Sequence, residues 1–185
     1  HLLISDGVQV EEERKLTDIP DSIAKNVASS APNYAIMGML EKKIEEHNSN
    51  WLVVFGSPGC GKTVLAAGFE PQSKDIEVLG RFFFKVPNDS MSRAERCSEG
   101  HFAEFLESVY IKKSGEDIEK LTNEKRRKMI PGWFGLMDNI LSEEGKTGVI
   151  IIDGLDELAE DPGYRVGDFL SLLPNTLPQN IYIVL

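Results

Sequence analysis

At 185 residues the chain suits one domain, or one domain plus a short extension, and is long enough to bury a real core. Its 41% hydrophobic and 27% charged content is that of a soluble globular protein. Thirty Asp and Glu against 20 Lys and Arg give a net charge of −10, which argues against a surface built to neutralise nucleic-acid phosphates. No apolar run approaches the roughly 18 residues of a membrane span, and the first residues lack the charged and apolar regions of a signal peptide. Two cysteines, Cys60 and Cys97, make neither a disulfide framework nor a metal-ligand spacing, so a reducing, cytoplasmic setting is expected.

Residues 1–32 mix the charge run Glu11 to Lys15 with Pro- and Ser-containing stretches, and read as a linker or the edge of a preceding region. From Asn33, the residues Ile36, Met37, Leu40 and Ile44 recur at helical spacing with charged residues between them. An amphipathic helix is therefore expected, with His47 at its polar end. Trp51 to Phe55 then reads as a strand, followed by Gly56-Ser57-Pro58-Gly59-Cys60-Gly61-Lys62-Thr63. This has the full G-x-x-x-x-G-K-[ST] spacing of a phosphate-binding P-loop, between a strand and a helix-like run from Lys62 to Ala67.

The residue types in that loop follow from its chemistry. Glycines let successive N–H groups turn inward toward phosphate oxygens, and the following helix adds its positive end. Lys62 would reach the β- and γ-phosphates, and Thr63 would place its hydroxyl on Mg²⁺. Gly56 through Val64 are thus the expected nucleotide-binding residues. A plain glycine turn would explain the glycines but not the Lys-Thr pair. Cys60 reads as a small residue whose backbone matters, or as a redox-sensitive thiol at a helix N-terminus.

Val78 to Val86 reads as a buried strand whose triplet, Phe82-Phe83-Phe84, is core. Ser92 to Lys112 has Phe102, Phe105, Leu106 and Val109 on one helical face, with His101 expected on its surface. Residues 116–144 carry two helical patterns divided at Pro131-Gly132, and the basic run Lys125 to Lys128 reads as a solvated face. Val149-Ile150-Ile151-Ile152 then ends in Asp153, as in a strand buried on both faces with its acid at the ligand-binding edge. Asp153 would hold Mg²⁺ together with Thr63. Asp156 and Glu157 follow on the next turn, where either could orient an attacking water. A helix is expected between Tyr164 and Leu173, and Ile181 to Leu185 reads as another buried strand. Because the chain starts at His1 and ends inside that strand, it is expected to be an excerpt that stops before its last strand.

The run Val149 to Leu158, with Asp153-Gly154-Leu155-Asp156-Glu157 at its centre, resembles the signature of NACHT-type ATPases within the STAND class of signalling P-loop NTPases. That class includes the nucleotide-binding domains of NOD-like immune receptors. The helix before the P-loop strand, the aromatic second strand and the final apolar strand are similar too, so the resemblance spans about residues 33–185. It implies a three-layer α/β/α domain of the additional-strand class, with mostly parallel strands and the strand of Leu185 inserted between those of Phe55 and Asp153. It implies ATP or ADP with Mg²⁺ as ligands, and nucleotide exchange that controls assembly into a homo-oligomer, with protein partners engaged through flanking domains. Within it Asp156 would polarise the water, with Glu157 a second candidate, and Gly154 would leave room for Asp156. An AAA-like remodeller or nucleic-acid motor, a small-molecule kinase, and an interaction module with a vestigial P-loop are the alternatives.

Overall fold

In the computed structural model, residues 19–30, 33–46, 49–88, 90–159 and 163–185 are described, apart from the side chains of Glu157 and Ala159. The expectations for residues 1–18 and for His47 lie outside them. In chain order the elements are α1 (Asp21–Ala28), α2 (Tyr34–Glu45), β1 (Trp51–Leu52), α3 (Lys62–Gly68), β2 (Ile76–Phe83) and α4 (Arg93–Arg96). There follow α5 (Glu99–Ser114), α6 (Asn123–Glu144), β3 (Thr147–Asp153), α7 (Leu155–Ala159), α8 (Val166–Leu170) and β4 (Ile181–Val184).

The four strands are all parallel, in the order β1-β4-β3-β2. The last strand in the chain therefore lies between the P-loop strand and the strand of Asp153, as expected. Its register pairs Ile183 with Trp51 on one side and with Ile150 on the other. A parallel sheet needs cover on both faces, which is why β3 and β4 read as continuous apolar runs. Alternation sorts their side chains. Ile150, Ile152, Ile181 and Ile183 join the core under α5 and α6, while Val149, Ile151, Tyr182 and Val184 join that under α2 and α3.

Several boundaries differ from the sequence reading. The strand expected over 51–55 is only Trp51 and Leu52, although Val54 N–H still donates to the Leu185 carbonyl at 2.7 Å. Phe55 stands 89% exposed, because β1 is the edge of the sheet and no described strand flanks it on the outside. β2 starts and ends earlier than expected, yet all three phenylalanines at 82–84 are buried as read. The helix expected from Ser92 is interrupted at Cys97 and Ser98, because both Ser92 and Ser98 act as N-caps, accepting hydrogen bonds from the Glu95 and His101 N–H groups.

Pro131 does not divide the following pattern. α6 runs through it, with Ile130, Trp133, Phe134, Met137 and Leu141 all buried. A proline inside a helix costs about 3 kcal/mol, and a stripe of large side chains anchored on both sides of it offsets that cost. Ile118 and Leu121, expected to be helical, lie in the loop before α6 and pack on the core from there. Between Tyr164 and Leu173 only α8 is helical, the last residues being turns. Part of the stretch read as linker is folded as well: α1 buries Ile23 in a cluster with Ala67 and Phe83.

Candidate nucleotide-binding site

The loop after β1 and the acid ending β3 meet at the C-terminal edge of the sheet, because parallel strands with intervening helices bring all their following loops to one side. Gly59 and Gly61 adopt left-handed φ of 79° and 95°, and Gly61 is the residue from which α3 starts. Cys60 N–H closes a turn onto the Ser57 carbonyl at 3.1 Å. Ser57, Pro58, Gly59 and Cys60 are exposed, whereas Lys62, Thr63 and Val64 are half-buried in the first turn of α3. The Cys60 thiol lies over Gly56, so close that a β-carbon there would stand 2.4 Å from the sulfur. Any side chain at position 56 would have to displace that thiol.

Two contacts join the loop to the acids. Thr63 Oγ1 donates to Asp153 Oδ2 at 2.8 Å, across 90 residues of sequence. Lys62 Nζ donates to the Gly56 carbonyl at 2.9 Å and lies 3.2 Å from Asp156 Oδ2. Asp156 sits in α7 with its side chain 59% exposed, so this ion pair is weak and easily exchanged. Between Asp153 and α7, Gly154 takes a φ of 91°, and a β-carbon there would press on the Phe84 side chain at 3.3 Å. Its role is thus the sharp left-handed turn from strand to helix, which delivers Asp156 to Lys62. The side chain of Glu157 lies outside the described residues, so its expected role is neither met nor displaced.

A cavity of about 450 Å³ opens beside these groups, with Gly56, Lys62, Asp153 and Asp156 among its lining and Phe55, Leu65 and Leu185 among its apolar walls. Thr63 and Asp153 offer a hydroxyl and a carboxylate, the hard oxygen donors that Mg²⁺ takes beside water and phosphate oxygens. Among the described residues no group of three or more His, Cys, Asp or Glu is placed to hold a metal ion.

One supporting residue was not singled out from the sequence. Arg81 rises from the middle of β2 and donates from Nε to the Ala66 carbonyl at 3.1 Å and from Nη2 to the Phe69 carbonyl at 2.6 Å. It thereby caps the last turn of α3, the helix that carries Lys62 and Thr63. Burial lowers the Arg81 pKa, and the attraction of Glu70 partly restores it. A lone cation within the apolar run from Val78 to Phe84 was the available signal.

Comparison with known families agrees with this geometry. The profile of the Nephrocystin 3, N-terminal family matches residues 37–185, from the first turn of α2 onward. The chain belongs to that family. Membership links the chain at a coarse level to P-loop NTPases, and the matched span holds the loop of Gly56 to Thr63 and the acids after β3. No curated protein and no solved structure matches it. Among the described residues no helix is long and apolar enough to cross a membrane.

Proposed function

We propose that this domain is an ATP-binding and ATP-hydrolysing switch of the NACHT/STAND kind, in which the state of the bound nucleotide controls self-association and the engagement of protein partners. The observation that carries the reading is the convergence of Thr63 on Asp153 and of Lys62 on Asp156 at one sheet edge. In this reading Gly56 to Val64 enfold the phosphates with backbone N–H groups, and Lys62 exchanges Asp156 and the Gly56 carbonyl for phosphate oxygens. Thr63 and Asp153 would hold Mg²⁺, which neutralises the charge that develops on the phosphates. Asp156, released from Lys62, is placed to accept a hydrogen bond from the attacking water.

Calorimetric titration with Mg²⁺-ATP and with ADP tests the first half. Lys62→Ala is expected to abolish measurable binding with the fold intact, because it removes a charge-assisted phosphate contact. Equal affinity in the two proteins would mean a vestigial loop. Single-turnover hydrolysis in the longest folded form of the protein tests the second half. Asp156→Asn is expected to slow the step by about 10² to 10⁴-fold with ATP still bound, the usual loss for a general base. Near-normal turnover there, with loss in Glu157→Gln, would move the role to Glu157.

A further inference from the structure

The first helix of the chain is tied to the helix that follows the P-loop. α1 forms a third, smaller cluster beside the two cores of the sheet, in which its Ile23 is buried with Ala67 of α3 and Phe83 of β2. Val27, one turn further along α1, borders the same cluster, and a β-carbon on Gly68 would stand 3.4 Å from its methyl group. Within α1 only Ile23 is fully buried. A helix of eight residues does not hold together unaided in water, so α1 keeps its form through that one anchor.

The anchor lies next to the candidate site. Thr63 and Ala67 stand four residues apart on α3, one above the other on the same face. Phe83 and Asp153 are register partners on β2 and β3, side by side on one face of the sheet. The bond from Thr63 Oγ1 to Asp153 Oδ2 at 2.8 Å and the packing of Ala67 on Phe83 are therefore successive turns of one interface between α3 and the sheet. Ile23 closes the second of them. Whatever fixes Thr63 against Asp153 also fixes the surface on which Ile23 sits.

We infer that α1 is a strap whose docking is coupled to nucleotide occupancy: it is held more firmly when the P-loop is filled and undocks more readily when the loop is empty. The inference rests on the nucleotide reading above and gives the state of the site a readout on the N-terminal side of the domain. Mg²⁺-nucleotide adds ties at the Thr63 end of the interface and leaves the Ile23 end untouched, so it restrains α3 in the position that α1 needs. Linkage makes the effect reciprocal. The factor by which the ligand suppresses undocking is the factor by which an undocked α1 weakens the ligand.

Amide hydrogen exchange across the chain, with and without saturating Mg²⁺-ATP, tests the coupling beside calorimetric titration of the same protein. Exchange in α1 is expected to slow by about fivefold or more on binding, the low end of such couplings, while amides of α5 on the opposite face of the sheet slow less. Ile23→Asp, whose unpaired carboxylate resists burial and so undocks α1, is expected to weaken Mg²⁺-ATP by a like factor, and Ile23→Val to keep most of the affinity. Should Ile23→Asp fail to fold, as loss of its near-ultraviolet circular dichroism would reveal, the exchange comparison on the parent protein decides alone. The inference is overturned if bound nucleotide leaves exchange in α1 unchanged, if it slows α1 and α5 alike, or if folded Ile23→Asp binds as the parent does. Absence of binding in the parent overturns the nucleotide reading with it, whereas binding without a response in α1 overturns the strap alone.

Discussion

On one face of the sheet, α5 and α6 bring Phe102, Phe105, Trp133 and Phe134 against Phe82, Phe84, Ile150 and Ile152. On the other, α2 and α3 bring Met37, Leu40, Ile44 and Phe69 against Val149, Ile151, Tyr182 and Val184. The first face is an aromatic lattice: Phe82 meets Phe84, Phe102 and Phe105 with ring centres 4.8 to 5.1 Å apart. Each such pair adds about 0.5 to 1.5 kcal/mol beyond burial. The second face thins out toward β1, where Leu65 and Val54 are half-buried and Val53 and Phe55 are exposed. Asp153 thus ends a strand clamped from both sides, while the loop of Gly56 to Thr63 hangs from the lightly packed edge. The acid is the fixed half of the site, and the loop is the half whose order a ligand can change.

The largest expected effect breaks this comparison if it is wrong. Phe105→Ala, fully buried in the aromatic lattice, should cost about 3 to 5 kcal/mol in urea unfolding. Val53→Ala, half-exposed at the sheet edge, should stay within about 0.5 kcal/mol. Similar losses at the two positions would mean that the faces are equally fastened.

Between those extremes stands Arg81, which fastens the thin face to the sheet. Arg81→Met keeps the apolar stem and removes the bonds to the Ala66 and Phe69 carbonyls, so a loss of about 2 kcal/mol is expected from denaturation. Glu70, its ion-pair partner, is 77% exposed, and Glu70→Ala should cost less than about 1 kcal/mol. The two variants separate a helix cap from a surface ion pair. A larger loss in Glu70→Ala than in Arg81→Met would reverse that assignment.

The dense face was also the harder one to read residue by residue. The site was legible because its signals are local: glycines and Lys-Thr at fixed spacing, and an apolar run ending in Asp153. Strand order followed from resemblance and was met by the structure. Charged and polar residues inside the core were missed because their type outweighed their position. His101, expected on the surface, is buried beside Phe82 at 5.6 Å, and it shares a helical face with Phe105 and Val109. Arg126, read within a solvated basic run, is buried and donates to Glu107 at 2.6 Å and Asn123 at 2.7 Å. It stands four residues before Ile130, on the buried stripe of α6, and Glu107 stands three before Tyr110 on α5. Helical spacing held both answers, but a single sequence does not show which acid on α5 will neutralise which base on α6.

The smallest expected effect lies at the opposite edge of the sheet from the site, where the dense face ends in a cluster of four charges. Glu144 meets Lys113 at 2.7 Å and Lys146 at 2.9 Å, and Glu77 pairs with both lysines. Hydrogen bonds from Lys113 and Lys146 hold the Glu144 carboxyl below its ordinary value of 4.5, and Glu144 and Glu77 hold Lys146 above its ordinary 10.5. A depressed carboxyl contributes stability above its unfolded pKa and loses it as pH falls through the folded one. A raised lysine contributes fully below its unfolded pKa and loses it as pH rises through the folded one. The cluster therefore acts between those limits, and Glu144→Gln should lower the unfolding midpoint slightly at pH 7. That difference should fade as the pH is taken below the carboxyl range and shrink in high salt. Because the cluster touches neither the loop of Gly56 to Thr63 nor Asp153, nucleotide affinity at neutral pH should be the same in Glu144→Gln as in the parent. A shift in that affinity would show the two edges of the sheet to be coupled through the dense face, and the fixed half of the site to be less fixed than its packing implies.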